Sequence, residues 1–204
     1  MPAEGSPFLR HVRDRLPRTR GTLVSDYGFG LVHPGTVGTL LPALQEGRHP
    51  LFVDSRLQLR LFRGITAATP NLQEAEATLG EPIGDDPARL RRAGMAMRES
   101  LGAEALVMTQ GSLGMSVFAK GEEPMHVPVY GTDEVADVTG AGDTVIGALT
   151  LAVLAGCRYD EAALLATYAS GIVVMKRGTA TVSREELRQA LSSDAAFERR
   201  LRKV

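Results

Sequence analysis

The sequence predicts an α/β domain in which helices cover a mostly parallel sheet that ends in a C-terminal β-hairpin. Three observations predict it. Apolar runs of strand length alternate with segments of helical periodicity, the pattern of consecutive β-α units. Three of those runs end on a polar residue, Asp26, Asp54 and Thr109, and ligands of open α/β sheets sit beyond the carboxyl ends of the strands. A Gly140-Ala141-Gly142 turn then opens a long apolar run with Asp143 at its start, so a helix N-terminus is presented with a carboxylate beside it.

Taken in order, Arg10, Arg13, Arg15, Arg18 and Arg20 sit among Leu9, Val12 and Leu16 and read as the wet face of a short amphipathic helix. Residues 22–26 read as a first strand, 34–46 as a helix with Gly47 near its C-cap, 51–54 as a second strand and 65–68 as a third. Asp85 or Asp86 before Pro87 marks a helix start, and Leu90, Gly94, Met97 and Leu101 follow at the spacing of one helical face. Residues 105–109 are the plainest strand, and 115–118 with 125–129 flank Lys120-Gly121 as a hairpin. From Asp143 the chain is helical, with Val145, Ile146, Leu149, Ala152 and Val153 on one broad face and Gly156 ending the run. Residues 161–175 are nearly all small and apolar and predict a buried helix, and Ser183 with Glu186 forms a capping box that opens the next. Arg199, Arg200, Arg202 and Lys203 are expected in the last turn of a terminal helix, where cations suit the dipole.

The bulk composition limits the function. A chain of 204 residues, 44% hydrophobic, is long enough for one domain with a core. The net charge of −1 provides no field to recruit nucleic acid or a membrane surface. Cys157 is the single cysteine, so an internal disulfide and a cysteine-based zinc site are excluded. His11, His33, His49 and His126 are scattered without metal-ligand spacing. No apolar run reaches membrane-spanning length, and residues 1–20 lack a signal-peptide core, so a cytoplasmic protein is expected.

The chemistry concentrates in Asp137-Val138-Thr139-Gly140-Ala141-Gly142-Asp143. Backbone N–H groups bared at such a turn hold anions, and the helix dipole adds partial positive charge. Asp143 beside them would take a proton from a hydroxyl. Anion site plus base is the equipment of phosphoryl transfer. Two further segments stand open to more than one reading. Asn71 with Glu74 has the spacing of a helix cap and its return partner, and equally of a polar pair that serves a cation. Thr109-Gln110-Gly111-Ser112-Leu113-Gly114 is either a strand-to-hairpin turn or a loop whose glycines admit a phosphate or ribose. There is no Gly-x-x-x-x-Gly-Lys-Ser/Thr, no Gly-x-Gly-x-x-Gly and no Gly-x-Ser-x-Gly, so P-loop, dinucleotide-fold and serine-hydrolase readings lack their motifs.

The string Asp-x-Thr-Gly-Ala-Gly-Asp-Thr at 137–144 resembles the C-terminal signature of the PfkB, or ribokinase-like, carbohydrate kinases. Residues 25–30, 68–72, 135–146 and 169–182 are most similar to the branch that phosphorylates D-glycero-β-D-manno-heptose 7-phosphate. The resemblance runs from about Phe8 to the C-terminus. It implies a three-layer αβα sandwich, truncated at its N-terminus and forming a single partial kinase domain over 1–204. It also implies ATP-dependent phosphorylation of a sugar phosphate, with heptose 7-phosphate of ADP-heptose biosynthesis as the acceptor. Asp143 is then the base, and the N–H groups of Gly140, Ala141 and Gly142 the anion hole. Asn71 and Glu74 help place Mg²⁺ and phosphate, and Thr109, Gly111 and Gly114 approach ATP. Tyr168 stands on the nucleotide-side helix, and Asp137 helps place a monovalent cation.

The sequence departs from the family's pattern at three points: Phe29 stands where lysine is usual, Asp54-Ser55-Arg56 replaces Asp-Pro-Lys, and Tyr168 replaces an asparagine. No His-x-Gly-His occurs, so the adenylyltransferase half that often follows this kinase is not expected. The family's first strands, sugar-facing glycine pair and β-sheet lid precede the segment that begins here. Two arrangements are therefore expected as partners, a homodimer or a complementing N-terminal polypeptide. A catalytically incomplete nucleotide-binding chain is the alternative function.

Overall fold

A computed structural model describes residues 7–131, 136–194 and 202–203. The chain divides into two compact units, residues 1–106 and 107–204.

The first unit carries parallel strands in the order β1 (Thr22–Asp26), β2 (Leu51–Ser55), β3 (Ala67–Ala68) and the start of β4 (Ala105–Thr109). Thr22 pairs with Leu51, Phe52 with Ala67, and Ala67 with Ala105. Leu51, Phe52 and Val53 are all buried, as expected of an internal parallel strand covered on both faces. The third strand is shorter than its apolar run. Of its first two residues, Ile65 accepts the Glu104 N–H, and Thr66 donates its N–H to the Leu51 carbonyl and accepts the Ala105 N–H on its own carbonyl.

Around these strands lie α1 (Pro7–Arg15), α2 (Pro34–Glu46), α3 (Leu72–Leu79) and α4 (Pro87–Leu101). The N-cap of α4 is Asp86, whose Oδ1 accepts the Ala88 N–H at 2.8 Å and the Arg89 N–H at 3.3 Å. The apolar face read from spacing is the buried one, with Leu90, Gly94, Met97 and Leu101 all turned inward.

In the second unit the rest of β4 is followed by β5 (Met115–Ala119), β6 (Met125–Val127) and β7 (Arg202–Lys203). The β5–β6 pair is the expected antiparallel hairpin. Arg202 and Lys203 are not helical. They pair antiparallel with His126 and Met125, because the outer edge of β6 offers backbone partners that a terminal helix would leave unused. Arg199 and Arg200 lie outside the described residues.

The helices of this unit are α5 (Ala141–Leu154), α6 (Tyr159–Val174) and α7 (Arg184–Ser193). Helix α5 packs along α6, and α6 also meets β5, β6 and α7. So many neighbours explain why α6 is composed almost wholly of small and apolar residues: it is buried on most of its circumference. No helix among the described residues is long and apolar enough to cross a membrane.

Gly114 is set by this packing. Its φ is +94°, and a Cβ there would stand 2.2 Å from the Val127 carbonyl oxygen. Gly114→Ala is expected to lower stability by about 2–4 kcal/mol through backbone strain and overpacking together, measured as a fall in the urea midpoint.

Candidate active site

The segment before α5 is anchored before it turns. Ala136 and Asp137 both donate backbone N–H groups to the carbonyl of Val174, the last residue of α6, at 2.9 and 3.1 Å. The half-buried Asp137 carboxylate accepts the Thr139 N–H at 2.9 Å. The Thr139 hydroxyl first and the Thr139 N–H second hold this carboxyl below the usual carboxylate range against desolvation, with a still smaller contribution from the Gly178 N–H. The Val138 carbonyl next accepts the Ala141 N–H at 3.2 Å.

Gly140 then caps the helix at φ +80°, ψ 5°, a left-handed conformation. A Cβ at this position would lie an ordinary 3.8 Å from the Thr179 methyl, so conformation, not space, calls for glycine. The Gly140 carbonyl accepts both the N–H and the hydroxyl of Thr144, at 3.0 and 2.9 Å. Thr144 is therefore the first donor of the helical ladder, and the N–H groups of Gly142 and Asp143 come before it. Both residues are exposed, and Gly140 and Ala141 are half-buried. The start of α5 therefore reaches solvent at Gly142 and Asp143. The helix begins two residues earlier than Asp143 because the glycine cap, not the carboxylate, starts it.

Thr109 ends β4 and is half-buried. Gly111 follows at φ +60° with open space where a Cβ would stand, so that position would admit a ligand. Gly114 differs. It is buried, it accepts the Gln110 N–H at 2.8 Å, and its missing side chain makes room for the Val127 carbonyl. It is a packing glycine of the hairpin and not a surface offered to a nucleotide.

Tyr168 also differs from expectation. It has no exposed surface, its hydroxyl donates to Asp194, and its ring stacks on Tyr130 with centroids 4.1 Å apart. It is a core residue that ties α6 to the end of α7.

Asn71 and Glu74 belong to the first unit, just past β3. The Asn71 side chain accepts the Glu74 N–H at 2.8 Å, and Glu74 Oε2 accepts the Asn71 N–H at 3.0 Å, a complete capping box on α3. Glu74 is half-buried and uses one oxygen in the cap. A single partly exposed carboxylate suits Mg²⁺, which keeps much of its water and takes most other ligands from phosphates. Among the described residues no group of three His, Cys, Asp or Glu side chains is gathered as for a protein-caged metal. Asp26 serves structure too: it accepts the Gly28 N–H at 2.9 Å and the Ser55 hydroxyl at 2.7 Å. Arg56 lies 4.5 Å over the ring of Tyr27, and Phe29, between two glycines of positive φ, is 94% exposed.

A concavity of about 360 Å³ opens at the amino end of β2 beside Arg48, His49 and Thr66, and another lies by Glu122 and Arg158; neither contains a residue of the 137–144 turn. The turn is an open surface feature, and its case rests on amides and charge.

A family model described as pfkB family carbohydrate kinase matches residues 40–186. The chain belongs to the pfkB carbohydrate kinase family. Among its relatives are proteins named bifunctional protein HldE. That of Chromohalobacter salexigens is 43% identical over 192 residues, which are 94% of this chain and 39% of that protein. That of Nitrosococcus oceani is 40% identical over 192 residues, 94% of this chain and 40% of that protein. The chain thus spans about two fifths of the length of the curated relatives it matches.

Among solved structures, Arabidopsis thaliana ribokinase complexed with ribose and ATP matches at a TM-score of 0.79 and 21% identity, over 95% of this chain and 61% of that one. Escherichia coli phosphofructokinase-2 in complex with potassium matches at 0.77 and 20%, over 90% and 61%. These likenesses establish the ribokinase-like α/β fold.

The sequence marked the loop after α6 only as part of the family resemblance at 169–182 and by the Ser183–Glu186 spacing, and gave it no role; in the structure Thr179 lies beside Gly140 of the turn. Lys176 Nζ lies 2.6 Å from Glu186 Oε1, and that ammonium, with the N–H and hydroxyl of Ser183, holds the Glu186 carboxyl down from its ordinary 4.5 to about 2. A carboxylate with a lowered folded pKa stabilises fully above its unfolded value and loses that contribution as pH falls. Urea midpoints are expected to fall between pH 4.5 and 2, and Glu186→Gln is expected to flatten that part of the profile. Asn71→Ala is expected to cost about 1 kcal/mol of stability by the same measurement, through loss of the cap.

Proposed function

We propose that the chain transfers the γ-phosphoryl group of ATP to a hydroxyl of a sugar phosphate. Heptose 7-phosphate is the acceptor favoured by the kinship with proteins named HldE. The observation that carries the proposal is the exposed pair Gly142 and Asp143 at the N-terminus of α5, ahead of the first ladder donor. Asp143 accepts the hydroxyl proton as the sugar oxygen attacks the γ-phosphorus and the bond to the β–γ bridging oxygen breaks. N–H groups around Gly140, Ala141 and Gly142 stabilise charge on the phosphoryl group as it moves. Thr109 and Gly111 lie along the nucleotide. Glu74 is the carboxylate offered to Mg²⁺, which neutralises phosphate charge when bound. Asp137 sets the turn and would help place a monovalent cation there.

The test is an ADP-release assay with heptose 7-phosphate, ribose and fructose phosphates, with ATP binding measured separately. The wild-type chain is expected to turn over with heptose 7-phosphate. Asp143→Asn is expected to reduce turnover by at least about 10³-fold while the Kd for ATP changes less than about threefold. Wild-type turnover in that variant would remove Asp143 as the base. Binding of ATP without transfer to any acceptor would support instead a nucleotide-binding chain that needs a complementing polypeptide.

A further inference from the structure

The loop between α6 and α7 is an arch whose two feet are held by one ammonium group. Lys176 Nζ donates to the Thr181 carbonyl at 2.7 Å and lies 2.6 Å from Glu186 Oε1. Glu186 Oε2 accepts the Ser183 N–H and the Ser183 hydroxyl, both at 2.8 Å. Start of the arch, end of the arch and first turn of α7 therefore meet at Lys176.

The crown of the arch touches the turn before α5. The Thr179 methyl stands 3.8 Å from where a Cβ of Gly140 would lie, and the Gly178 N–H, at φ +71°, adds weakly to the lowering of the Asp137 carboxyl. Asp137 in turn fixes the Thr139 N–H one residue before the glycine cap. The arch held by Lys176 and Glu186 thus comes up against the turn at Gly140.

We propose that Lys176 and Glu186 are positioning residues that set the geometry of the anion turn through the 177–180 arch. The proposal rests on the phosphoryl-transfer reading for its consequence in catalysis, but the mechanical link is measurable without catalysis. The Lys176 and Glu186 side chains are 33% and 41% exposed, so salt weakens their attraction.

Hydrogen–deuterium exchange of the full chain tests the link. Lys176→Met and Glu186→Gln are each expected to speed exchange of the amides at 136–143 about tenfold or more, with the α5 interior beyond Val145 unchanged. Lys176→Arg, which keeps the charge and the N–H donors, is expected to retain most of the protection. Wild-type protection at 136–143 in both Lys176→Met and Glu186→Gln, or protection in Lys176→Arg as low as in Lys176→Met, overturns the proposal. If a variant loses its far-UV signal, wild-type protein in 1 M NaCl decides. Faster exchange confined to 136–143 supports the link, and an unchanged pattern overturns it.

In the ADP-release assay Lys176→Met and Glu186→Gln are expected to lower kcat about tenfold or more, with a smaller change in KM for the sugar. A wild-type chain without turnover would overturn the kinase reading while the exchange data still decide the mechanical one.

Discussion

Two amides on one carbonyl organise the second unit. Val174 ends α6 and would leave its carbonyl without an intrahelical donor. Ala136 and Asp137 supply two donors, so a helix C-terminus is satisfied by the segment that becomes the next turn. The anion turn inherits its position from this junction. Asp137, fixed by its own N–H, directs its carboxylate onto Thr139, and the chain reaches Gly140 with little freedom left. A helix start is then displayed on α5, whose far side is seated on α6.

The same junction explains where tightness was needed. A Cβ at Gly171 would stand 2.2 Å from the Tyr130 carbonyl oxygen, so the segment that follows β6 lies directly on the backbone of α6. Tyr130 stacks on Tyr168, and Tyr168 reaches Asp194 at the end of α7. Helix α6 is thereby a scaffold contacted on several sides, and its residues are chosen for closeness more than for polarity. The capping box of α3 in the first unit works differently, with a polar pair at the surface settling its own helix end.

Much of this was legible in the residues. Strand runs, the start of α4 at Asp86, the hairpin and the capping boxes at Asn71–Glu74 and Ser183–Glu186 follow from local patterns that local geometry decides. The anion turn was legible because its glycine and its carboxylate are chemically particular. Tyr168 was not. A helix apolar on all sides carries no contrast from which to read which neighbour a residue faces. Gly114 misled for another reason: glycine admits a ligand and an adjacent backbone equally well, and only the Val127 carbonyl shows which is present. The arch was hidden because Lys176 and Glu186 meet across a loop, and an ion pair of this kind leaves no periodic trace.

The stacked tyrosines have an optical consequence. The sequence has no tryptophan and four tyrosines, so its near-ultraviolet emission comes from phenol rings alone. One of the four, Tyr168, is buried, hydrogen-bonded to a carboxylate and face to face with Tyr130, surroundings that quench and red-shift a phenol. The stacked pair is a built-in reporter on the segment that follows β6, and release of that segment from α6 changes the tyrosine emission without a label.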